Sequence, residues 1–353
     1  MKIVIIGGGI AGLAAAIALK RNKNEIVVKE RNFTNNNSGM AFMIHESTVR
    51  NINSLVDIEL NVNKHGINNL ILKDDLQSNH VKINGWYAIK RVKLLNFLRS
   101  QLTTDEYHEN YDFSHFQYEG DKAIAAVFKN GSIEYGDLFI GADGINSQVR
   151  NSVSEAHFFP NEINEIVCVA KYDDINDSTF RKYLSIKKGM SFGFIPVSDN
   201  ELIWFLQFAS KLYGSMFQRS SDIEKNMSSQ LLSEFPEEVR ELIERSDLKK
   251  AYLWNNRELK LLPYCYKANV CLIGDAAHGS TSLTSSGVSS GISSAIELAE
   301  VLNSSEYLYS ALSKYDEIRK KKNSRTIEYA KILKLQFNSP PDCLDNYNMP
   351  LFH

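Results

Sequence analysis

The first twelve residues constrain this chain more tightly than any other stretch. Lys2 to Ile6 reads KIVII, a β-branched run suited to a strand buried on both faces. Gly7-Gly8-Gly9-Ile10-Ala11-Gly12 follows with the G-x-G-x-x-G spacing, and LAAAIALKR then offers good helix formers with an apolar stripe. The glycines of that spacing act in different ways. Gly7 makes a tight turn, Gly9 lets backbone approach a pyrophosphate, and Gly12 lets the helix lie close to the sheet. The helix start presents unpaired N–H groups to phosphates. EIVVKE, Glu25 to Glu30, reads as a second strand, and its terminal Glu30 carboxylate can accept hydrogen bonds from ribose hydroxyls. Strand, glycines, helix, strand and acid together predict a dinucleotide site rather than a plain βα turn with a surface glutamate. They do not separate FAD from NAD(P).

Lys2 followed by uncharged residues to Leu19 also has the outline of a secretory signal, but glycines at 7 to 9 would break its apolar helix where it should be strongest. The charge balance, 40 basic against 42 acidic residues for a net of -2, leaves no broad basic field for nucleic acid or anionic lipid. Cys168, Cys265, Cys271 and Cys343 form no CxxC pair, and the eight histidines show no ligand spacing, which points to a reducing cytoplasm and no structural metal. No stable membrane insertion is expected.

Two later segments separate the nucleotides. FKNGSIEYGDLFIGADGINSQVR, Phe128 to Arg150, holds an Asn130-Gly131 hairpin turn and then an apolar strand running into Asp143-Gly144. NVCLIGDAAH, Asn269 to His278, is another buried strand and ends in Gly274-Asp275. With the N-terminal fingerprint, this order resembles the group A FAD-dependent monooxygenases, the family of para-hydroxybenzoate hydroxylase, from Met1 to about Arg325. The resemblance implies an α/β fold: a Rossmann-like FAD-binding domain, an interleaved β-sheet substrate domain, and C-terminal helices. It places residues 1–65, 88–160 and 258–303 in the first, 66–87 and 161–257 in the second, and 304–353 in a helical segment and tail.

The resemblance also carries roles. Gly7, Gly9, Ala11, Gly12 and Glu30 line FAD, and Asp275 meets its ribityl and pyrophosphate region. Asp143 and Gly144 lie near the flavin phosphates and the approach of the nicotinamide. IKRVKLLNFL, Ile89 to Leu98, resembles the helix after the first substrate-domain hairpin, which makes Arg91 an FAD contact. Arg31 and the segment Gly39 to Met43 match cofactor-lining positions. No second G-x-G-x-x-G occurs, in keeping with transient use of NAD(P)H. The implied chemistry is hydride transfer to flavin, addition of O2 as a C4a-hydroperoxide, and oxygenation of a small apolar or aromatic substrate, so few protein acids or bases are needed and no catalytic residue is assigned. His278 belongs to the turn of the third motif in that family and is left out of the catalytic set.

On the substrate side, EIVCVAKY, MSFGFIPV and ELIWFLQF read as strands, and Asp222 to Arg245 as helical. Phe192, Phe194 and Trp204 are pocket candidates by alternation, and core packing explains the same aromatics equally well. Other enzymes of this fold, a prenyl reductase or a flavin-dependent halogenase, are the nearest alternatives, although the halogenase motif W-x-W-x-I-P is absent. A flavin- or nucleotide-binding regulator without turnover is the reading from another class. The basic run Arg319 to Lys322 is expected on a solvated helix face.

GDAAHGSTSLTSSGVSSGISSAIE, Gly274 to Glu297, has the serine content of a linker, yet apolar residues recur at helical spacing from Val288. It is therefore expected to form a loop and a helix whose start, at Ser286, Gly287 and Val288, points at the flavin. Ser285-Ser286-Gly287 stands where relatives carry Gly-Gln-Gly, and Gly279 to Ser282 replaces a segment that usually contains proline.

Overall fold

The computed structural model describes residues 1–32, 41–62, 66–74, 76–172, 178–185, 189–228, 231–233, 235–341 and 343–348. The chain opens with β1 (Lys2–Ile6), α1 (Ile10–Lys20) and β2 (Glu25–Glu30), then β3 (Ala41–His45) and α2 (Glu46–Asn53). A hairpin of β4 (Gly66–Lys73) and β5 (Ser78–Lys90) leads into α3 (Arg91–Arg99) and β6 (Tyr107–Glu109). The meander β7 (Phe113–Glu119), β8 (Lys122–Phe128) and β9 (Ile133–Tyr135) precedes β10 (Leu138–Gly141). Four longer strands follow, β11 (Ile163–Lys171), β12 (Thr179–Ser185), β13 (Met190–Ser198) and β14 (Glu201–Ala209). Short helices α4 (Ser210–Tyr213), α5 (Ile223–Asn226) and α6 (Glu237–Glu244) come next, with β15 (Tyr252–Trp254), β16 (Tyr266–Lys267) and β17 (Val270–Leu272). The chain ends with α7 (Asp275–His278), α8 (Gly287–Ser304) and the long α9 (Leu308–Asn338).

Among the described residues these strands build three sheets. The first runs β16-β17-β10-β1-β2-β6 and is parallel except at β16. Its central strand β1 has Ile3, Val4 and Ile5 wholly inaccessible, as expected for a strand with helices over both faces. The second sheet runs β15-β11-β14-β13-β12-β4-β5-β3. Residues 41–45, expected with the nucleotide-binding part, pair instead with β5 at its edge, because Ala41 to His45 run antiparallel to Lys90 to Trp86. The third sheet is the meander, turned at Gly131 with φ +83°.

Alternation divides the second sheet cleanly. Ile166, Cys168, Phe192, Phe194, Trp204, Leu206 and Phe208 point to one face and pack under α5 and α6 through Phe217, Ile223, Phe235, Val239 and Leu242. Val167, Phe180, Ile195 and Ile203 point to the other face, together with Met43, Trp86, Val169 and Phe205. The stretch read as one helix from Asp222 to Arg245 is two helices. Pro236, without a backbone N–H to donate, can only precede α6 and stands at its N-cap.

The serine-rich segment opens with the short α7, continues as a loop and ends in the eighteen-residue helix α8. Its hydroxyls tie the helix to its surroundings. Ser289 meets Thr48 of α2 at 2.8 Å, Ser294 accepts from the backbone of Gly274 at 3.3 Å, and Ser290 accepts from Arg319 of α9 at 2.8 Å. Arg319 corrects the expectation of a solvated basic face: it is only 1% exposed, because its guanidinium also reaches Glu297 at 3.0 Å and Asn323 at 3.1 Å. Lys322, one turn on, stays half-exposed beside the other oxygen of Glu297. Burial opposes ionisation of Glu297, but Arg319 and Lys322 outweigh it and hold the carboxyl below its ordinary 4.5.

Replacing Arg319 with leucine leaves Glu297 without its buried partner. The expected loss is about 3 kcal/mol, against under about 1 kcal/mol for Lys322→Ala, read by denaturant unfolding. A depressed carboxyl contributes stability at neutral pH and loses it as pH falls through the folded-state value, so the gap between wild type and the Arg319 variant should narrow below pH 4.5.

Candidate functional site

Three chain reversals meet where β1, β10 and β17 end. At the first, Gly7 has φ +111°, and a Cβ there would stand 2.3 Å from the Ala142 carbonyl oxygen. A Cβ on Gly12 would fall 2.0 Å from the Gly7 carbonyl oxygen, so both positions require glycine for packing alone. Gly9 is different. Its φ of -74° suits any residue, and a Cβ would meet nothing within 4 Å. Its side is open, and α1 begins there with no side chain capping its first N–H groups. An open glycine at an uncapped helix start is a cradle for phosphate.

Glu30 closes one end of that cradle. Its Oε2 accepts from the Gly8 N–H at 2.6 Å and its Oε1 from the Asn32 N–H at 2.9 Å, which fixes the carboxylate while leaving lone pairs for hydroxyls. Arg31 beside it is exposed. Tyr107 of β6, which no motif flags, lies against Gly8 and Glu30, and burial with the nearby Glu30 charge pushes its hydroxyl up to about 12. Arg91 opens α3, half-buried. Desolvation lowers its guanidinium pKa while the Glu30 charge acts against that, so the two share one electrostatic neighbourhood.

The middle motif has a structural role. Asp143 accepts from the Ser147 hydroxyl and from the backbone N–H groups of Gln148 at 2.8 Å and Val149 at 3.2 Å. Its carboxylate therefore shapes its own loop, and Gly144, at φ +80° with open space beside it, supplies the turn. Arg150, missed in sequence reasoning, joins this loop to the third motif by donating to the carbonyls of Ile145 at 2.7 Å and Ala276 at 3.0 Å. The signal for it was its place at the end of the motif itself.

Asp275 opens α7. Burial raises its carboxyl above the ordinary range and the Arg150 charge partly offsets this, yet its side chain has no hydrogen-bond partner among the described residues. Ala11 packs against the same reversal: a Cβ on Gly274 would be 2.6 Å from its Cβ, and one on Gly291 of α8 would be 3.3 Å away. α8 starts at Gly287 with open space at that glycine, no side-chain cap from Ser286, and Val288 half-buried in its first turn. His278 is enclosed: burial holds its imidazole neutral, and its Nδ1 lies 3.3 Å from Ser290 Oγ on the side of α9.

The structure does not bring Phe192, Phe194 and Trp204 to this site. They lie on the helix-covered face of the second sheet, Phe192 stacked on Trp204 with ring centroids 5.4 Å apart. Met43 lies on the opposite face, the one that meets the loop before α8, where Ser282 donates to Glu165 of β11. Gly39 lies outside the described residues.

The open glycine, the uncapped starts of α1 and α8, and the unpartnered Asp275 carboxylate together fit a dinucleotide. Comparison with known proteins agrees. The family model described as "FAD binding domain" matches residues 1–329. Over 93% of its length the chain is 24% identical to 6-methylsalicylate 1-monooxygenase of Aspergillus terreus, spanning 81% of that protein. It is 26% identical over 90% of its length to the FAD-dependent urate hydroxylase of Mycolicibacterium vanbaalenii, spanning 84% of it. Klebsiella pneumoniae HpxO, solved with FAD and uric acid, superposes with a TM-score of 0.85 at 18% identity, covering 96% of this chain and 90% of that one. P. aeruginosa PqsL, in complex with 2-aminobenzoylacetate, superposes with a TM-score of 0.82 at 18% identity, covering 96% and 97%.

The three glycines make separable predictions. Gly9→Ala should leave the stability of FAD-free protein within about 0.5 kcal/mol of wild type while weakening FAD binding at least tenfold. Gly7→Ala and Gly12→Ala should each lower stability by more than about 2 kcal/mol. Thermal unfolding without FAD and titration of flavin fluorescence read the two effects apart.

Proposed function

The chain belongs to the FAD binding domain family, and from that premise we propose that it is an FAD-dependent monooxygenase that uses reduced nicotinamide and O2 on a small aromatic substrate. The observation that carries this reading is Asp275, a carboxylate that keeps some accessible surface and has no hydrogen-bond partner among the described residues, at the reversal that Gly274 makes beside Ala11. Its lone pairs are free to accept from a ligand that donates to them. The relatives named for 6-methylsalicylate and urate support an aromatic substrate.

FAD, when bound, would supply the redox chemistry by which electrons from reduced nicotinamide reduce O2, one oxygen atom entering the substrate and the other leaving as water. The protein's part is placement. The N–H groups at the start of α1 and the open side of Gly9 would take the pyrophosphate, Glu30 the ribose, and Asp275 the ribityl hydroxyls. Arg91 would add positive charge near Glu30. The start of α8 carries roughly half a positive charge and would stabilise negative charge at the flavin by about 1 kcal/mol. The inner face of the second sheet, with Val169, Phe205 and Met43, would close over the substrate and exclude water. Among the described residues no helix is long and apolar enough to cross a membrane.

The purified protein should bind FAD and consume O2 on addition of NADH or NADPH, and a preparation that cannot be loaded with flavin would sink the reading. Asp275→Asn should weaken FAD binding about ten- to a hundredfold. A raised carboxyl pKa means that ionisation opposes folding at pH 7, so this variant without FAD should be at least as stable as wild type.

A further inference from the structure

The inner face of the second sheet carries a polar corner that the nucleotide site does not use. Four adjacent strands contribute to it. Glu165 of β11 lies directly opposite Gln207 of β14, Gln207 opposite Ser191 of β13, and Lys182 of β12 one row away. Gln207 Nε2 donates to Glu165 Oε2 at 2.7 Å, while its Oε1 accepts from Ser191 Oγ at 3.0 Å and from Lys182 Nζ at 3.4 Å. Ser282, from the loop that leads into α8, donates to the same Glu165 Oε2 at 3.1 Å. Lys182, Ser191 and Gln207 are all more than nine-tenths buried.

Every side chain of the network makes at least one hydrogen bond within it, and one carboxylate oxygen makes none. Glu165 Oε1 has no partner among the described residues, and the residue, on the strand next to the sheet edge, retains accessible surface. Phe205, diagonally next to it on the same face, and Val169, two same-face positions along β11 beyond buried Val167, are likewise only partly covered. Desolvation pushes the Glu165 carboxyl above its ordinary range, and the bonds from Gln207 and Ser282 and the Lys182 charge only partly offset it. The Phe205 ring lies across Gly193, where a Cβ would come within 2.3 Å of it, so the apolar floor reaches the polar corner without a step. An apolar floor ending at a fixed, partly accessible acceptor suits a planar ligand with a hydrogen-bond donor on one edge.

We propose that Glu165, held by Gln207 and Ser282 with Lys182 behind Gln207, binds the donor edge of the aromatic substrate, a phenolic O–H or a ring N–H, and so sets the substrate class of this enzyme. The proposal rests on the flavin reading above. It makes Glu165 a specificity residue: a site built around an acceptor rejects an analogue that brings no proton to it, because the acceptor is then left desolvated and unpaired.

The test uses the FAD-loaded protein, with flavin content read first from visible absorbance. A panel of phenols and N–H azaheterocycles, each paired with its O- or N-methyl counterpart, is then titrated by perturbation of the flavin spectrum and by thermal shift. Wild type should favour the donor-bearing member of at least one pair by tenfold or more. Glu165→Leu should keep its FAD and lose that preference, and Glu165→Gln, which keeps an acceptor oxygen, should retain part of it. The proposal is overturned if Glu165→Leu discriminates as wild type does, or if wild type distinguishes no pair. Wild-type protein that takes up no FAD overturns the flavin reading itself, and this proposal with it, before any ligand is added.

Discussion

The site depends on how closely two helices approach the ends of three parallel strands at Ala11. Gly12 lets α1 lie on the Gly7 turn, and Gly274 and Gly291 leave just enough room for the Ala11 methyl between the third motif and α8. A tightly packed interior does not deform smoothly, so an added methyl at any of these points would push α1 or α8 away from the strand ends. The open side of Gly9, the Asp275 carboxylate and the start of α8 belong to elements that this tight junction holds at one end of the parallel sheet. Glycine serves there in two senses: at Gly7, Gly12 and Gly274 the protein occupies the space a side chain would need, and at Gly9 and Gly287 the space is left open.

α8 is also held from outside. Arg319 reaches across from α9 to Ser290 and Glu297, Thr48 of α2 meets Ser289, and Ser294 fastens the helix to Gly274. This explains a composition that resembles a linker. Serine is small enough for close helix packing, and its hydroxyl still finds a partner, so a serine-rich helix can be both buried and fixed. The basic residue that fixes it comes from a run that reads as solvent-facing, because charge runs carry no information on which of their members turns inward.

The nucleotide side was largely legible because its constraints are local. A tight turn, an open glycine and an acid at a strand end depend on a few neighbouring residues, and the family resemblance supplied their order. The N-terminal segment shows this well, with β1, α1 and β2 all where the spacing puts them. What the sequence did not disclose depends on contacts between distant segments: Tyr107 against Gly8 and Arg150 between two motifs. Asp143 shows another side of a motif, since its carboxylate also ties down its own loop.

The substrate side was less legible for a reason of parity. Alternation tells which strand residues share a face but not which face meets the site, and that was decided by where α5 and α6 packed. Phe192, Phe194 and Trp204 drew attention because they are large, and size is what a covered face needs. The informative residues were the polar ones at the opposite parity, Glu165, Lys182, Ser191 and Gln207, which fall beside one another only after the strands pair. Enclosing a carboxylate and an ammonium in the middle of a sheet costs several kcal/mol unless their bonds are made good. A face that served packing alone would do better with valine or leucine at those positions. The sheet therefore has one face built for cohesion and one that accepts an electrostatic cost, and a ligand that completes the Glu165 corner would offset that cost.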